Sequence, residues 1–181
     1  MVNTFLNDGL ATVEVKWEEP GIWGGARAIA FACRYATVAR WTYDNLHESG
    51  EETIFIAQGN SGGAAQIAYG LAHYRLGEII DLANLGGGPP DCPRCNASTG
   101  YYREPLLSGN PQLNYPSTTV KFFLGEEEPS QRIIDNANEL FDAITSEKTF
   151  QIIPNTPHSI LHFEEGTAAL IAAVREAIQA H

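Results

Sequence analysis

Residues 53–76 read TIFIAQGNSGGAAQIAYGLAHYRL, and this stretch restricts the fold more than any other. It opens on a short run of β-branched and aromatic residues, TIFIA, and closes on AAQIAYGLAHY, whose small and apolar residues recur at helical spacing. Only Gln58 and Gly59-Asn60-Ser61-Gly62-Gly63 lie between them, so a strand turns almost directly into a helix. Such a unit belongs to a parallel sheet, because the next parallel strand is reached through a crossover helix. The same alternation runs along the chain. Residues 11–17 (ATVEVKW), 79–85 (IIDLANL), 118–124 (TTVKFFL) and 150–153 (FQII) read as further strands, and 26–46, 131–144 and 166–180 as further helices. In the helix over 26–46, Ile29, Cys33, Ala36, Val38, Trp41 and Leu46 mark the apolar positions. The expected architecture is an α/β three-layer sandwich around a mostly parallel sheet of about five strands.

At 181 residues the chain fits a single domain, 1–181, large enough to bury a core without disulfide or metal staples. The net charge of −11, with no basic cluster, argues against nucleic acid as a partner and disfavours anionic substrates. No apolar run reaches the length of a membrane span, and MVNTFLNDGL lacks the features of a secretory signal. Association with further copies of the chain is left open. Cys92 and Cys95 form CPRC, without the second pair that a four-ligand zinc site requires, so no metal is expected there and a local disulfide or free thiols remain. Asn96-Ala97-Ser98 is a glycosylation acceptor only in a secreted chain. The long segment 86–117, rich in Gly, Pro, Asn and Ser, leaves the C-terminal end of a strand and is expected to lie over the cleft as a short cap. There Tyr101, Tyr102, Leu106, Leu107 and Tyr115 would suit an uncharged acyl or aryl group.

A serine among glycines has several uses. A trypsin-like nucleophile requires an all-β chain with histidine and aspartate ahead of the serine, whereas here only His47 precedes it, at a helix end. A dinucleotide cradle requires GxGxxG and an acid at the end of the next strand; the turn is GNSGGA, and Asp81 sits inside its strand. A plain N-cap serine would not call for glycines on both sides. GxSxG fits best, with the serine exposed on a strained strand-to-helix turn and Gly59 and Gly63 allowing strand and helix to approach. The amide of Gly62, at the helix start, would then point at a developing oxyanion.

The order of the remaining motifs strengthens this choice. FIAQGNSGGAAQ, FFLGEEEP and NTPHS resemble, in that order, the nucleophile turn, acid turn and histidine loop of the α/β-hydrolase superfamily, a resemblance that runs from residue 11 to the C-terminus. It implies Ser61 as nucleophile, His158 as general base and then acid, and a carboxylate that orients the imidazole, mapped by family spacing onto Glu128. Glu126, Glu127 and Asp91 remain alternatives for the acid. His162 is the rival base, with a packing role favoured by its neighbour Phe163, and His73 is expected to cover apolar surface.

The resemblance implies a serine hydrolase of carboxylesterase type, working on a small uncharged ester through an acyl-enzyme and needing no cofactor. Amidases, lactonases and cofactor-free haloperoxidases share the same triad. The family's first strands and its HG oxyanion motif are not found, which implies an N-terminally reduced fold. Gly24 and Gly25, in the loop 20–25, are then the candidates for a second oxyanion donor. The alternative is a non-catalytic binding protein, or a fragment, on a reduced hydrolase scaffold.

Overall fold

A computed structural model describes residues 1–16, 28–48, 53–88 and 106–181, with side chains from residue 32 onward in the first long helix. Its elements are α1 (Val2–Asn7), α2 (Ala28–Leu46), β1 (Ile56–Asn60), α3 (Gly62–Tyr74), β2 (Leu82–Gly86), β3 (Thr119–Gly125), α4 (Gln131–Ala143), β4 (Lys148–Ile153) and α5 (Glu164–Ala180). Among the described residues the strands form one sheet in the order β1-β2-β3-β4, and every neighbouring pair is parallel.

The sheet has four strands among the described residues rather than five. Residues 11–16, most of the stretch 11–17 expected as a strand, form no regular element and pair with no strand of the sheet, and Val13 and Val15 are exposed at 52% and 37%. Apolar alternation supplies a strand's side-chain pattern but not a neighbour to bond with, and the pattern stabilises nothing without one. Trp17 lies outside the described residues. The strand expected over 79–85 begins only at Leu82, since Ile79 and Ile80 are buried as part of the approach rather than as ladder residues.

Side chains of β3 alternate between two cores, as the pleat requires. Val120 and Phe122 join Ala57, Ala83, Leu85 and residues of α2, α3 and α4 on one face. Phe123 joins Ile153, Ile160 and the α5 residues Leu170 and Ala173 on the other. Helices therefore cover both faces. α1 contributes to the second face, where Asp8 bonds Arg175 of α5 through two contacts of 2.8 and 3.1 Å.

α2 packs differently from its apolar pattern. Ala32, Ala36 and Ala39 are buried, while Trp41 and Leu46 are each 56% exposed and Cys33 is also exposed. The alanine face lets α2 come close to α3, eight of whose thirteen residues are buried. At that crossing a Cβ on Gly70 would meet Leu76 Cδ1 at 2.6 Å and Tyr35 Cδ1 at 3.7 Å.

Segment 106–117 departs from the expected cap. Leu106 and Tyr115 are buried in the core beside α3, with Leu107 packed against it. The Gln112 amide donates to the Ala72 carbonyl at 2.8 Å, some ten residues or about 15 Å along α3 from Ser61. These side chains close the opposite edge of the sheet. Tyr101 and Tyr102, and the pair Cys92 and Cys95, lie outside the described residues.

Candidate active site

β1 ends at Asn60 and α3 begins at Gly62, which leaves Ser61 alone to make the reversal. Its backbone takes φ 53° and ψ −113°, a region costly for a residue with a side chain. The turn is held from both sides: the Ser61 amide donates to the Gly86 carbonyl at 2.8 Å and the Ala65 amide to the Ser61 carbonyl at 3.0 Å. Strand and helix approach so closely that a Cβ on Gly59 would lie 2.5 Å from the Gly63 carbonyl carbon and 2.8 Å from the Ala64 nitrogen. The two glycines do not share this role, because a Cβ on Gly63 would meet nothing within 4 Å. Ser61 does not cap α3 with its hydroxyl.

The hydroxyl instead faces His158, with Oγ 2.8 Å from Nε2. On the other side of the ring, Nδ1 lies 2.6 Å from Glu128 Oε2. Glu128 is the inward member of the GEEE turn: its side chain is 1% exposed, and Oε1 accepts the Ser130 amide at 3.1 Å. Both of its oxygens thus have donors, as a buried carboxylate requires. Glu126 and Glu127 are exposed, and Glu126 Oε2 accepts the Asn155 amide at 3.1 Å. Three elements contribute: the β1–α3 turn, the turn after β3 and the loop after β4.

The acid turn and histidine loop are packed as one unit. A Cβ on Gly125 would collide with the Thr156 carbonyl oxygen and come within 2.5 Å of that of Pro157, so only glycine fits. The Glu127 amide donates to Thr156 at 3.0 Å and the Glu126 amide to Ile153 at 2.9 Å. These backbone bonds set the distance between Glu128 and His158 without using either side chain.

The other sequence candidates fall elsewhere. His162 ends a short 3-10 turn, Ile160–His162, and is exposed rather than packed. His73 Nε2 lies 2.7 Å from the Leu106 carbonyl, its ring tilted against Tyr69. His47 stacks on Tyr43 with centroids 4.6 Å apart. Gly62 opens α3, where first-turn amides have no partner within the helix. Gly24, Gly25 and Asp91 lie outside the described residues. No group of three or more His, Cys, Asp or Glu among the described residues is placed to hold a metal ion.

Sequence reasoning did not single out Asn60 or the glycines after β2. Gly87 and Gly88 both have positive φ, 66° and 61°, and a Cβ on Gly87 would meet the His158 carbonyl oxygen at 2.6 Å. The run GGG in 86–88 was the available signal, since consecutive glycines beside a strand end mark close backbone approach.

Comparison with solved structures identifies this arrangement of strands and helices. A carboxylesterase from Bacillus cereus superposes with a TM-score of 0.52 at 20% identity, over 78% of this chain and 58% of that one. The metagenome-derived lipolytic enzymes LipS and LipT give 0.56 at 12% identity, over 86% and 75%. The alpha/beta hydrolase domain-containing protein 10 from mouse gives 0.54 at 12% identity, over 82% and 70%. The fold is α/β-hydrolase-like. This α/β-hydrolase-like chain spans 58% of the length of the Bacillus carboxylesterase. No protein-family model and no curated protein matches its sequence. No described helix is long and apolar enough to cross a membrane.

Proposed function

We propose that the chain is a serine hydrolase of carboxylesterase type, cleaving a small uncharged ester through an acyl-enzyme. One observation carries this: the hydroxyl of a serine in strained backbone, an imidazole and a buried carboxylate form a continuous hydrogen-bonded chain at the C-terminal edge of a parallel sheet. In the first half-reaction Ser61 Oγ attacks the ester carbonyl while its proton passes to His158 Nε2. Glu128 holds the ring through Nδ1–H and stabilises the imidazolium without taking its proton. The imidazolium then protonates the alkoxide leaving group. Water attacks the acyl-enzyme with His158 again as base, and Ser61 regains its proton. No cofactor takes part.

Negative charge on the carbonyl oxygen would be met by the Gly62 amide, with Gly24 and Gly25 as candidate second donors. Loss of one such donor costs about a hundred- to a thousand-fold in rate. The chain's −11 charge accords with an uncharged substrate.

A fluorophosphonate probe tests the proposal, since it reacts with a serine only when the hydroxyl is activated. Stoichiometric labelling of the wild-type chain at Ser61, absent in Ser61→Ala, is expected, together with loss of p-nitrophenyl acetate hydrolysis in that variant. A wild-type chain that stays unlabelled, or a Ser61→Ala variant that keeps its esterase activity, would refute it.

A further inference from the structure

β2 ends in Gly86, Gly87 and Gly88 follow, and the space beside each of the three is filled by something different. A Cβ on Gly86 would first meet the end of a side chain, Ile160 Cδ1, at 2.8 Å. One on Gly88 would meet α4, with Ile133 Cγ2 at 3.1 Å and Ala137 Cβ at 3.3 Å. At Gly87 the nearest described atom is backbone, the His158 carbonyl oxygen at 2.6 Å. Asn60 Oδ1 and Nδ2 come next, at 3.0 and 3.2 Å, and are the end of a side chain. Turning a side chain relieves a contact such as that at Gly86, whereas at Gly87 one of two backbones has to move. How each is held decides which one yields. The Gly87 amide donates to the Phe123 carbonyl of β3 at 2.8 Å, and β2, which leads into it, is buried at every position. The His158 carbonyl accepts the Ile160 amide at 3.1 Å, a bond within its own loop, and that loop follows β4, an outer strand among the described residues. A side chain at 87 would therefore push the histidine loop and leave the sheet where it is.

We propose that Gly87 is a positioning residue: its lack of a side chain lets the His158 backbone lie against the loop after β2, and this seat sets how far the imidazole stands from Ser61 Oγ. The other side of the histidine loop rests on Gly125 in the same way, through the carbonyls of Thr156 and Pro157. Three successive carbonyls thus each meet a glycine placed at, or just past, the end of a central strand.

The seat would keep the imidazole in place during the stage when Ser61 Oγ is acylated and the 2.8 Å contact to Nε2 no longer restrains it. That kinetic consequence rests on the serine-hydrolase function proposed above; the seat itself does not.

Gly87→Ala tested against Gly88→Ala separates this role from backbone strain. The two positions have similar positive φ, 66° and 61°, so an added Cβ strains either one alike, but only at 87 does it reach His158. In Gly87→Ala the low-field His158 Nδ1 proton, held by Glu128 at 2.6 Å, should shift or broaden. With p-nitrophenyl acetate, kcat should fall about ten- to a hundredfold and KM should stay nearly unchanged, as misplacement of a reacting group predicts. Gly88→Ala should keep the proton signal, and its kcat should stay within about threefold of wild type. Equal effects at the two positions, or an unchanged signal at 87, overturn the proposal. Gly87→Asn and Gly88→Asn repeat the comparison with a residue that accepts this backbone, as Asn110 and Asn155 do at φ 64° and 51°. A last measurement needs neither variant nor turnover, and it decides the matter if the variants at 87 do not fold. The Gly87 amide donates to β3 and the Ile160 amide to His158, so loops that open as one unit should show protection factors equal within about threefold in the wild-type chain. A larger difference means that the histidine loop opens without its seat, and overturns the proposal. A proton signal perturbed at 87 alone, in a chain that proves inactive, would sustain the seat and refute only the esterase function.

Discussion

At the scale of single residues, three glutamates in a row have three different surroundings, and these predict different consequences. Only Glu128 is enclosed and faces the imidazole; Glu126 bonds the Asn155 amide and Glu127 is exposed. Glu128→Gln replaces an oxygen by an amide of the same shape and can hold the ring in the wrong tautomer, so ester hydrolysis should fall on the order of 10³- to 10⁴-fold. Glu126→Gln and Glu127→Gln should leave kcat/KM near wild type. An equal loss at Glu126 would move the orienting role to that residue. The same assay separates the histidines: His158→Ala should match Ser61→Ala, because members of such a unit fail together, while His162→Ala at its exposed site should hardly register. Ser61, His158 and Glu128 were legible because type, order and spacing coincide with a known pattern. Which glutamate faces inward was legible only by that resemblance, since three identical side chains carry no periodicity of their own.

At the scale of elements, the close strand-to-helix approach was legible but its division between two glycines was not. Sequence treats Gly59 and Gly63 as equivalent flanks of Ser61, whereas a side chain on Gly59 would strike the backbone of α3 and one on Gly63 would enter open space. Gly59→Ala should therefore destabilise the chain by about 1–3 kcal/mol, as forced overpacking does. Gly63→Ala should be neutral or stabilising by up to about 1 kcal/mol, since it removes a helical glycine. Urea denaturation of both variants checks the contrast, and equal destabilisation would contradict the geometry. α2 shows the opposite difficulty. Its large apolar residues suggested one buried face, but the contact with α3 is made by alanines, because close helix packing selects small side chains. α1 was missed, being short and attached through Asp8 and Arg175. Hydrogen bonding to that guanidinium holds the Asp8 carboxyl below its ordinary pKa, with charge attraction adding to it. A depressed carboxylate stabilises above its unfolded pKa and loses that contribution as pH falls through the folded value. Protection of the α1 amides, taken relative to their intrinsic exchange rates at each pH, should accordingly fall below the ordinary carboxylate range, and Asp8→Asn should show the same low protection at neutral pH.

At the scale of the whole molecule, the four strands share a direction but not an environment, and stability should follow the environment. β2 is buried at every position and pairs on both sides, with β1 and with β3. β3 likewise lies between two neighbours. Among the described residues β4 is an edge, with Ile152 51% exposed, and only Ala57 of β1 is buried. The parallel α/β class was legible from alternation along the chain, because each crossover helix must return beside its sheet. The absence of a strand over the described residues 11–16 was not, since an alternating apolar pattern reads alike whether or not a neighbour pairs with it. Hydrogen exchange of the native chain should thus be slowest in β2 and β3, faster in β1 and β4, and fastest in 11–16, whose backbone belongs to no ladder. Among the described residues the site spans this gradient, with Ser61 following one outer strand of the sheet, Glu128 a central one and His158 the other outer strand. Backbone bonds from the acid turn to residues 153 and 156 bind the last two into one unit, so their turns should exchange together and more slowly than the edge strand β4 as a whole. Exchange in the 154–158 loop that follows the β4 edge instead of the Glu126–Glu128 turn would show that Gly125 packing does not couple them.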